Sequence, residues 1–328
     1  MVEVLVIDYR TNEVSKNIFT DKRVQYISLC KRNSFIWRCI DRGLMAMGKG
    51  GILLQRSLSP KCLQDYSLII VNEMIYSAQL IAYIRKHAPK TKIVYWFWDT
   101  ASMMYKGLRF YDSEKELRKL LKAINKYGVL ATSFDIGDCQ KYKFTYRPQV
   151  VPFFSVDELR AFEKDHSQKI KQDVFFAGRD KGRLATLIKL AEKFNELKIS
   201  YNFWISPDRD KAYNMIEQKW FMKDAFVPYK KIVQQDLQSK AILDIVQEGQ
   251  QGLTWRPIEA LLYKRKLITN FQQIKEYEFY RSENIFIIGK DSMQDLSFFL
   301  NSGFKETNVD VLAQYTFSGW LSKQLKNS

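Results

Sequence analysis

Short β-prone runs alternate with amphipathic stretches along almost the whole chain, and this alternation restricts the fold more than any other feature. Strand, helix and strand in succession build a parallel sheet with helices on both faces. Residues 2–8 read as a strand ending at Asp8, and 33–48 carry apolar residues at helical spacing. Residues 67–71 read as a strand closed by Asn72 and Glu73, and 77–87 as a helix stopped by Pro89. Ile52-Leu53-Leu54, after Gly50-Gly51, reads as a short strand. Residues 92–98 are strongly β-prone and end in Asp99-Thr100. A charged helix over 113–127 keeps Leu117, Leu120, Leu121 and Ile124 on one face; 128–132 and 150–151 read as extended.

The pattern then restarts. A polar, charged segment at 155–172 separates the halves. Beyond it come strands at 173–177, 199–205, 241–246 and 284–288, and helices at 184–197, 232–239 and 291–301. The stretch 251–270 reads as loop, helix and strand, and 309–325 as an aromatic-rich helix. At 328 residues the chain is long enough for two domains. The fold class expected is α/β, with two doubly wound sheets.

Composition removes several function classes. There is no apolar run of about 18 residues, so no membrane-spanning helix is expected. The first ten residues lack a basic n-region and a small-residue cleavage site, so they are read as a buried strand rather than a signal peptide. Cys30, Cys39, Cys62 and Cys139 show no Cys-x-x-Cys spacing, which fits buried thiols in a reducing cytoplasm. With only His87 and His166, neither a histidine metal site nor a histidine triad is expected. The net charge of +16 is uneven: residues 1–155 hold 25 Lys and Arg against 13 Asp and Glu, and residues 156–328 hold 27 against 23. Such an excess attracts phospholipid, nucleic acid or a phosphorylated acceptor. No nucleic-acid-binding motif supports a basic nucleic-acid-binding protein. No Gly-x-Gly-x-x-Gly follows the first strand, which argues against a Rossmann oxidoreductase.

In an open α/β sheet, ligands bind beyond the carboxyl ends of the strands. Two such places stand out. Phe175-Phe-Ala-Gly-Arg-Asp-Lys-Gly-Arg183 is a strand, a glycine-containing turn and a helix start with three cations. Gly178 would let the backbone approach a phosphate, which Arg179, Lys181 and Arg183 would neutralise; the plainer reading is a solvated basic turn. In Gln251-Gly-Leu-Thr-Trp-Arg-Pro-Ile-Glu259, Thr254 is placed as N-cap, Pro257 in the first turn and Glu259 beside a helix start able to hold an anion. The plainer reading there is a carboxylate favoured by the helix dipole. Asp208-Arg-Asp210 follows Pro207, and capping is the expected role ahead of metal binding.

The stretch 251–270 resembles the donor-site motif of GT-B-fold glycosyltransferases, particularly the group with Glu-x7-Glu. The resemblance implies that Glu259 binds the ribose of a nucleotide sugar. Gln251 stands where that group carries its first Glu, which contacts the transferred sugar. The turn around Gly178 is similar to a shortened Gly-Arg…Lys-Gly turn of GT-B donor domains, where Arg and Lys hold the diphosphate. The implied architecture is two Rossmann-like domains facing a cleft: an acceptor domain at 1–155, a donor domain at 156–308, and a C-terminal helix at 309–328 packing back on the first. The expected donor site comprises Gly178, Arg179, Lys181, Arg183, Gln251, Gly252, Thr254, Arg256 and Glu259. Asp99 and Glu73 are the candidates for a general base, with Asp8 competing. The implied activity is metal-independent, cofactor-free glycosyl transfer from a nucleotide diphosphate donor, a UDP-sugar ahead of a GDP-sugar. The acceptor expected is a growing bacterial surface glycan (capsule, lipopolysaccharide or glycoprotein glycan), lipid-linked at an anionic membrane. That makes the chain a cytoplasmic protein peripheral on the inner face, docking through the basic residues of 33–48 and 113–127, with no nucleic-acid partner.

Overall fold

The computed structural model describes residues 3–9, 18–30, 35–72, 77–101, 112–151, 155–165, 169–208, 211–222, 227–247 and 251–326. They form two compact units, one of residues 1–154 with 317–328, the other of residues 155–316.

The first unit runs β1 Val4–Asp8, β2 Val24–Ser28, α1 Phe35–Ala46, α2 Gly50–Gln55, β3 Leu68–Asn72, α3 Ser77–His87, β4 Lys92–Trp96, α4 Ser113–Lys126, β5 Leu130–Ser133, α5 Ile136–Tyr142 and β6 Thr145–Tyr146. Its six strands lie in the order β2-β1-β3-β4-β5-β6, and every pairing is parallel. β1 and β3 are buried along their whole length, which is why each reads as an unbroken apolar run closed by one polar residue.

Alternate residues of these strands feed two cores. Leu5, Ile7, Ile69, Val71, Ile93 and Tyr95 pack with Leu80, Ile81 and Ile84 of α3 and with Leu117, Leu120 and Ile124 of α4. On the other face Val4, Val6, Leu68, Ile70, Val94 and Trp96 form a core with Phe317, Trp320 and Leu321.

The second unit runs α6 Val156–Asp165, β7 Gln172–Arg179, α7 Leu184–Glu196, β8 Tyr201–Ser206, α8 Met215–Gln218, α9 Tyr229–Leu237, β9 Ser239–Asp244, α10 Trp255–Leu262, β10 Lys266–Thr269, β11 Ile285–Ile287, α11 Leu296–Asn301 and α12 Val309–Ala313. Its parallel sheet has the order β11-β10-β9-β7-β8. The closing helix α13, Phe317–Lys326, belongs to the first unit.

Four local readings change. The stretch 309–325 is two helices, and only the second, Phe317–Lys326, belongs to the first unit, whereas Val309–Ala313 belongs to the second. Ile52-Leu53-Leu54 lies inside α2 rather than in a strand, with Leu53 and Leu54 buried and Ile52 outside. Val150 and Val151 are buried but belong to no strand. β2, which has no strong apolar pattern, is an unanticipated edge strand.

Trp320 is fully buried and stacks on Trp96 with ring centroids 4.3 Å apart. Trp320→Ala should destabilise the first unit by about 3–5 kcal/mol in denaturant unfolding. An unchanged midpoint would remove α13 from that core.

Candidate active site at the switch point of the second sheet

β7 and β9 are neighbours in the second sheet, but the chain leaves β7 towards β8 and leaves β9 towards β10. The loops beyond their carboxyl ends therefore diverge and leave a crevice. A cavity of about 560 Å³ occupies it. Lys181, Gly182, Arg183 and Thr186 line it from the β7–α7 turn, Ile245, Val246 and Gln247 from the end of β9, and Asn270, Phe271, Gln272 and Gln273 from the end of β10. The Asn270 carboxamide accepts from Val246 N at 2.8 Å and so ties the last two segments together.

The turn after β7 is held from below by Asp180. Its buried carboxylate accepts from Leu184 N (2.8 Å), Lys211 Nζ (2.8 Å) and the Tyr213 hydroxyl (2.9 Å). Burial alone would raise the pKa of this carboxyl; those partners outweigh it and hold the group below its usual range. Lys181 and Gly182 both take positive φ, 42° and 83°, which turns the chain into α7. Asp208 accepts from Lys181 N at 2.9 Å, so it fixes the turn, while Asp210 lies outside the described residues.

Arg183 spans the crevice. Its Nε donates to Asp180 O (3.2 Å), its Nη1 to Ile245 O (2.9 Å) and its Nη2 to Arg179 O. The guanidinium also lies 5.3 Å from the centroid of the Phe176 ring. A Cβ at position 178 would meet Nη2 at 2.9 Å, so Gly178 serves this side chain; it does not line the cavity. Among the described residues no carboxylate lies within ion-pair distance of Arg183. Burial pulls its pKa below the ordinary arginine value. The cation is thus held by three carbonyls and the Phe176 ring, with Asp244 and Asp180 acting on it only from beyond ion-pair distance. The first turn of α7 adds Ala185 and Thr186, whose N–H groups have no partner among the described residues. Cation and helix start together suit an anion.

The other expected donor residues sit elsewhere. Arg179 is exposed at the end of β7, Gln251 is exposed and Gly252 is buried, and none of them lines the cavity. Thr254 holds the N-cap position of α10, but its hydroxyl donates to Asp244 at 3.1 Å instead of capping. Asp244 is buried at the end of β9 and also accepts from Thr269 at 3.2 Å.

Glu259 is the fifth residue of α10, past the first turn, and only 1% exposed. One oxygen accepts from the Tyr229 hydroxyl at 2.5 Å, and the other lies 3.3 Å from Arg256 Nη1. Arg256 pairs in turn with buried Asp236 at 2.9 Å, and the Tyr263 hydroxyl lies 3.4 Å from that of Tyr229. The expectation of an open carboxylate beside the helix start is corrected accordingly: in this arrangement the oxygens of Glu259 already have protein partners.

In the first unit, Asp99 is exposed beyond β4, and Glu73 lies outside the described residues. Tyr95, Trp96 and Phe97, before Asp99, are fully buried core residues. The sequence reading missed Thr186, Ile245, Val246, Gln247, Asn270, Phe271, Gln272 and Gln273. The one signal available for them was their position after strand ends.

No family model and no curated protein matches the sequence. Solved structures do resemble the chain. Sucrose-phosphate synthase from Thermosynechococcus elongatus has a TM-score of 0.51 at 10% identity, over 94% of this chain and 84% of that one. HepE from Anabaena in complex with UDP has a TM-score of 0.50 at 10% identity, over 99% of this chain and 100% of that one. HepE with UDP and glucose has a TM-score of 0.50 at 10% identity and covers 100% of both chains. The fold is GT-B. In this GT-B chain the crevice described above lies wholly within the second of the two α/β units.

Burial pushes the Asp236 carboxyl up to about 7; Arg256 acts to lower it and Glu259 to raise it. The folded chain therefore keeps this proton in a range where the unfolded chain has released it. The associated stability is full below the ordinary carboxylate pKa and lost as pH rises through about 7. Melting temperatures measured from about pH 5 to pH 8 should fall for the parent relative to Asp236→Asn, and parallel curves would show that Asp236 stays ionised throughout.

Proposed function

We propose that this chain is a glycosyltransferase that moves a sugar from a nucleotide diphosphate donor, a UDP-sugar ahead of a GDP-sugar, onto a growing bacterial surface glycan. The observation that carries the reading is Arg183, a half-buried cation with no carboxylate within ion-pair distance among the described residues, beside Lys181 and the start of α7 in the switch-point crevice. Glycosyl transfer breaks the bond between the anomeric carbon and the diphosphate oxygen, and the electron pair leaves with the diphosphate. Lys181, Arg183 and the N–H groups of Ala185 and Thr186 form a fixed field for that charge, which needs no reorganisation during the reaction. With two cations in place the scheme calls for no divalent metal and no cofactor. HepE, which shares the fold, has been crystallised with UDP and with UDP and glucose, which supports a uridine donor here.

An acceptor hydroxyl attacking with inversion must lose a proton, and Asp99 is the described carboxylate we assign to take it. The acceptor is read as lipid-linked. No described helix is long and apolar enough to cross a membrane, so the basic first unit would reach such an acceptor by docking on the inner membrane face.

Calorimetry with UDP and with uridine tests the donor site. Lys181→Gln and Arg183→Lys should each weaken UDP by about 1.5–3 kcal/mol and leave uridine unaffected. Equal losses for both ligands would move the diphosphate elsewhere, and absence of any nucleotide binding would end the reading.

Glu259 enters this scheme only by exchanging the Tyr229 hydroxyl for one from ribose. Removing that competitor in Tyr229→Phe should then tighten uridine about fivefold. Unchanged or weaker uridine binding would leave Glu259 a purely structural residue.

A further inference from the structure

Helix α1 is apolar on two opposite sides. Met45 and Asp41 face the interior, each 1% exposed. On the far side Ile36 and Ile40, 68% and 42% exposed, fall in line with Met47 just past the helix end, at 63%. At about 100° per residue these three positions span a narrow arc, roughly opposite Met45. Ile52 of α2, 44% exposed, adds a fourth apolar side chain. The fold already uses the inner side of α1, so the outer stripe contributes nothing to the core.

The charge around the stripe is one-sided. Residues 31–56 carry six Lys and Arg against a single acid, Asp41. That acid is buried and paired with Arg56 at 2.8 Å. Arg42 and Lys49 are exposed. Lys31 and Arg32 lie outside the described residues. The other basic helix is built differently. On α4 no large hydrophobic residue is exposed, and Arg118 and Lys119 are engaged by Glu114 and Glu116 at 3.3 and 2.6 Å.

We propose that α1 and α2 form the surface by which the chain enters an anionic lipid bilayer. Ile36, Ile40, Met47 and Ile52 sink into the acyl boundary, and Arg42 and Lys49 meet the headgroup phosphates. Arg42 lies about 140° round the helix from the stripe, and an apolar stripe with cations on the polar side is what an interfacial helix presents to a membrane. A second copy fits less well. Its like-charged surface would repel this one, and four side chains fall far short of the roughly 800 Å² per partner of a stable interface. The inference rests on the glycosyltransferase reading only for its purpose, bringing the first unit to a lipid-borne acceptor. α4, which offers charge alone, is left out of the contact.

The test is sedimentation of the full chain with phosphatidylcholine vesicles and with mixed phosphatidylcholine–phosphatidylglycerol vesicles, across a salt series, without donor or acceptor. Its outcome is therefore independent of whether UDP binds. The parent should pellet with the mixed vesicles and keep a salt-resistant fraction. Ile36→Asn with Met47→Gln should lower partitioning about tenfold or more and abolish that fraction. Arg42→Gln with Lys49→Gln should weaken binding mainly at low salt. Unchanged pelleting of the apolar variant, or none by the parent, overturns the proposal. So does concentration-dependent self-association, by light scattering, that disappears in the apolar variant, since a second copy would then own the surface.

Discussion

Arg256 carries a full charge into the interior of the second unit, and the arrangement of that unit depends on how the charge is met. Removing such an ion from water costs several kcal/mol, so its partners must sit in good geometry. Asp236 comes from α9, Glu259 from α10 itself, and the carbonyl of Ala177, 3.4 Å from Nη2, from β7. One cation thus fixes two helices against the strand whose turn opens the site. Tyr229 and Tyr263 close the cluster, and burial together with Glu259 drives both phenols well above the usual tyrosine range.

Arg183 lies at the same sheet edge and meets the opposite conditions. Burial works to lower the pKa of both arginines. At Arg256 the carboxylates of Asp236 and Glu259 more than reverse it, whereas at Arg183 burial outweighs the more distant charges of Asp244 and Asp180 and leaves it lowered. An anion brought to Arg256 would meet two carboxylates first. At Arg183 it would meet Lys181 and the first turn of α7. The electrostatics therefore separate a structural arginine from one held ready for a ligand, although each appears in the sequence only as a cation at the start of a helix.

That separation marks how far the sequence could be read. The strands of both sheets are legible wherever burial on both faces forces an apolar run, as at 68–71 and at 174–176 in the middle of β7. Ile52-Leu53-Leu54 is equally apolar, but three residues cannot distinguish a strand from a helical turn, and the choice was set by packing of Leu53 and Leu54. At the site, the spacing from Gly178 to Arg183 showed where cations gather. It did not show that a Cβ at position 178 would crowd the Arg183 guanidinium. Glu259 matched a motif, yet its burial depends on Tyr229, thirty residues upstream, and no local pattern reports that. Gln247, Gln272 and Gln273 are amides on loops, a residue type with no positional signature.

The placement of α13 has consequences for how the molecule is assembled. The second unit is one continuous stretch, residues 155–316, whereas the first is completed only by Phe317 and Trp320 stacking on Trp96. If the second unit were still unfolded, bringing α13 back would mean closing a loop of more than 150 residues, and closure entropy grows with the logarithm of loop length. In the folded second unit α6 packs against α12, so its two ends already lie together. Folding it first replaces the long loop by a short span and lowers the closure cost by about 3 kcal/mol. The aromatic face of α13 then finds the first sheet as a nearly local event. The same cross-over means that loss of α13 bares Trp96, Val94 and Ile70 at the middle of the first sheet, so the two units are coupled in stability by a helix that carries no part of the candidate donor site.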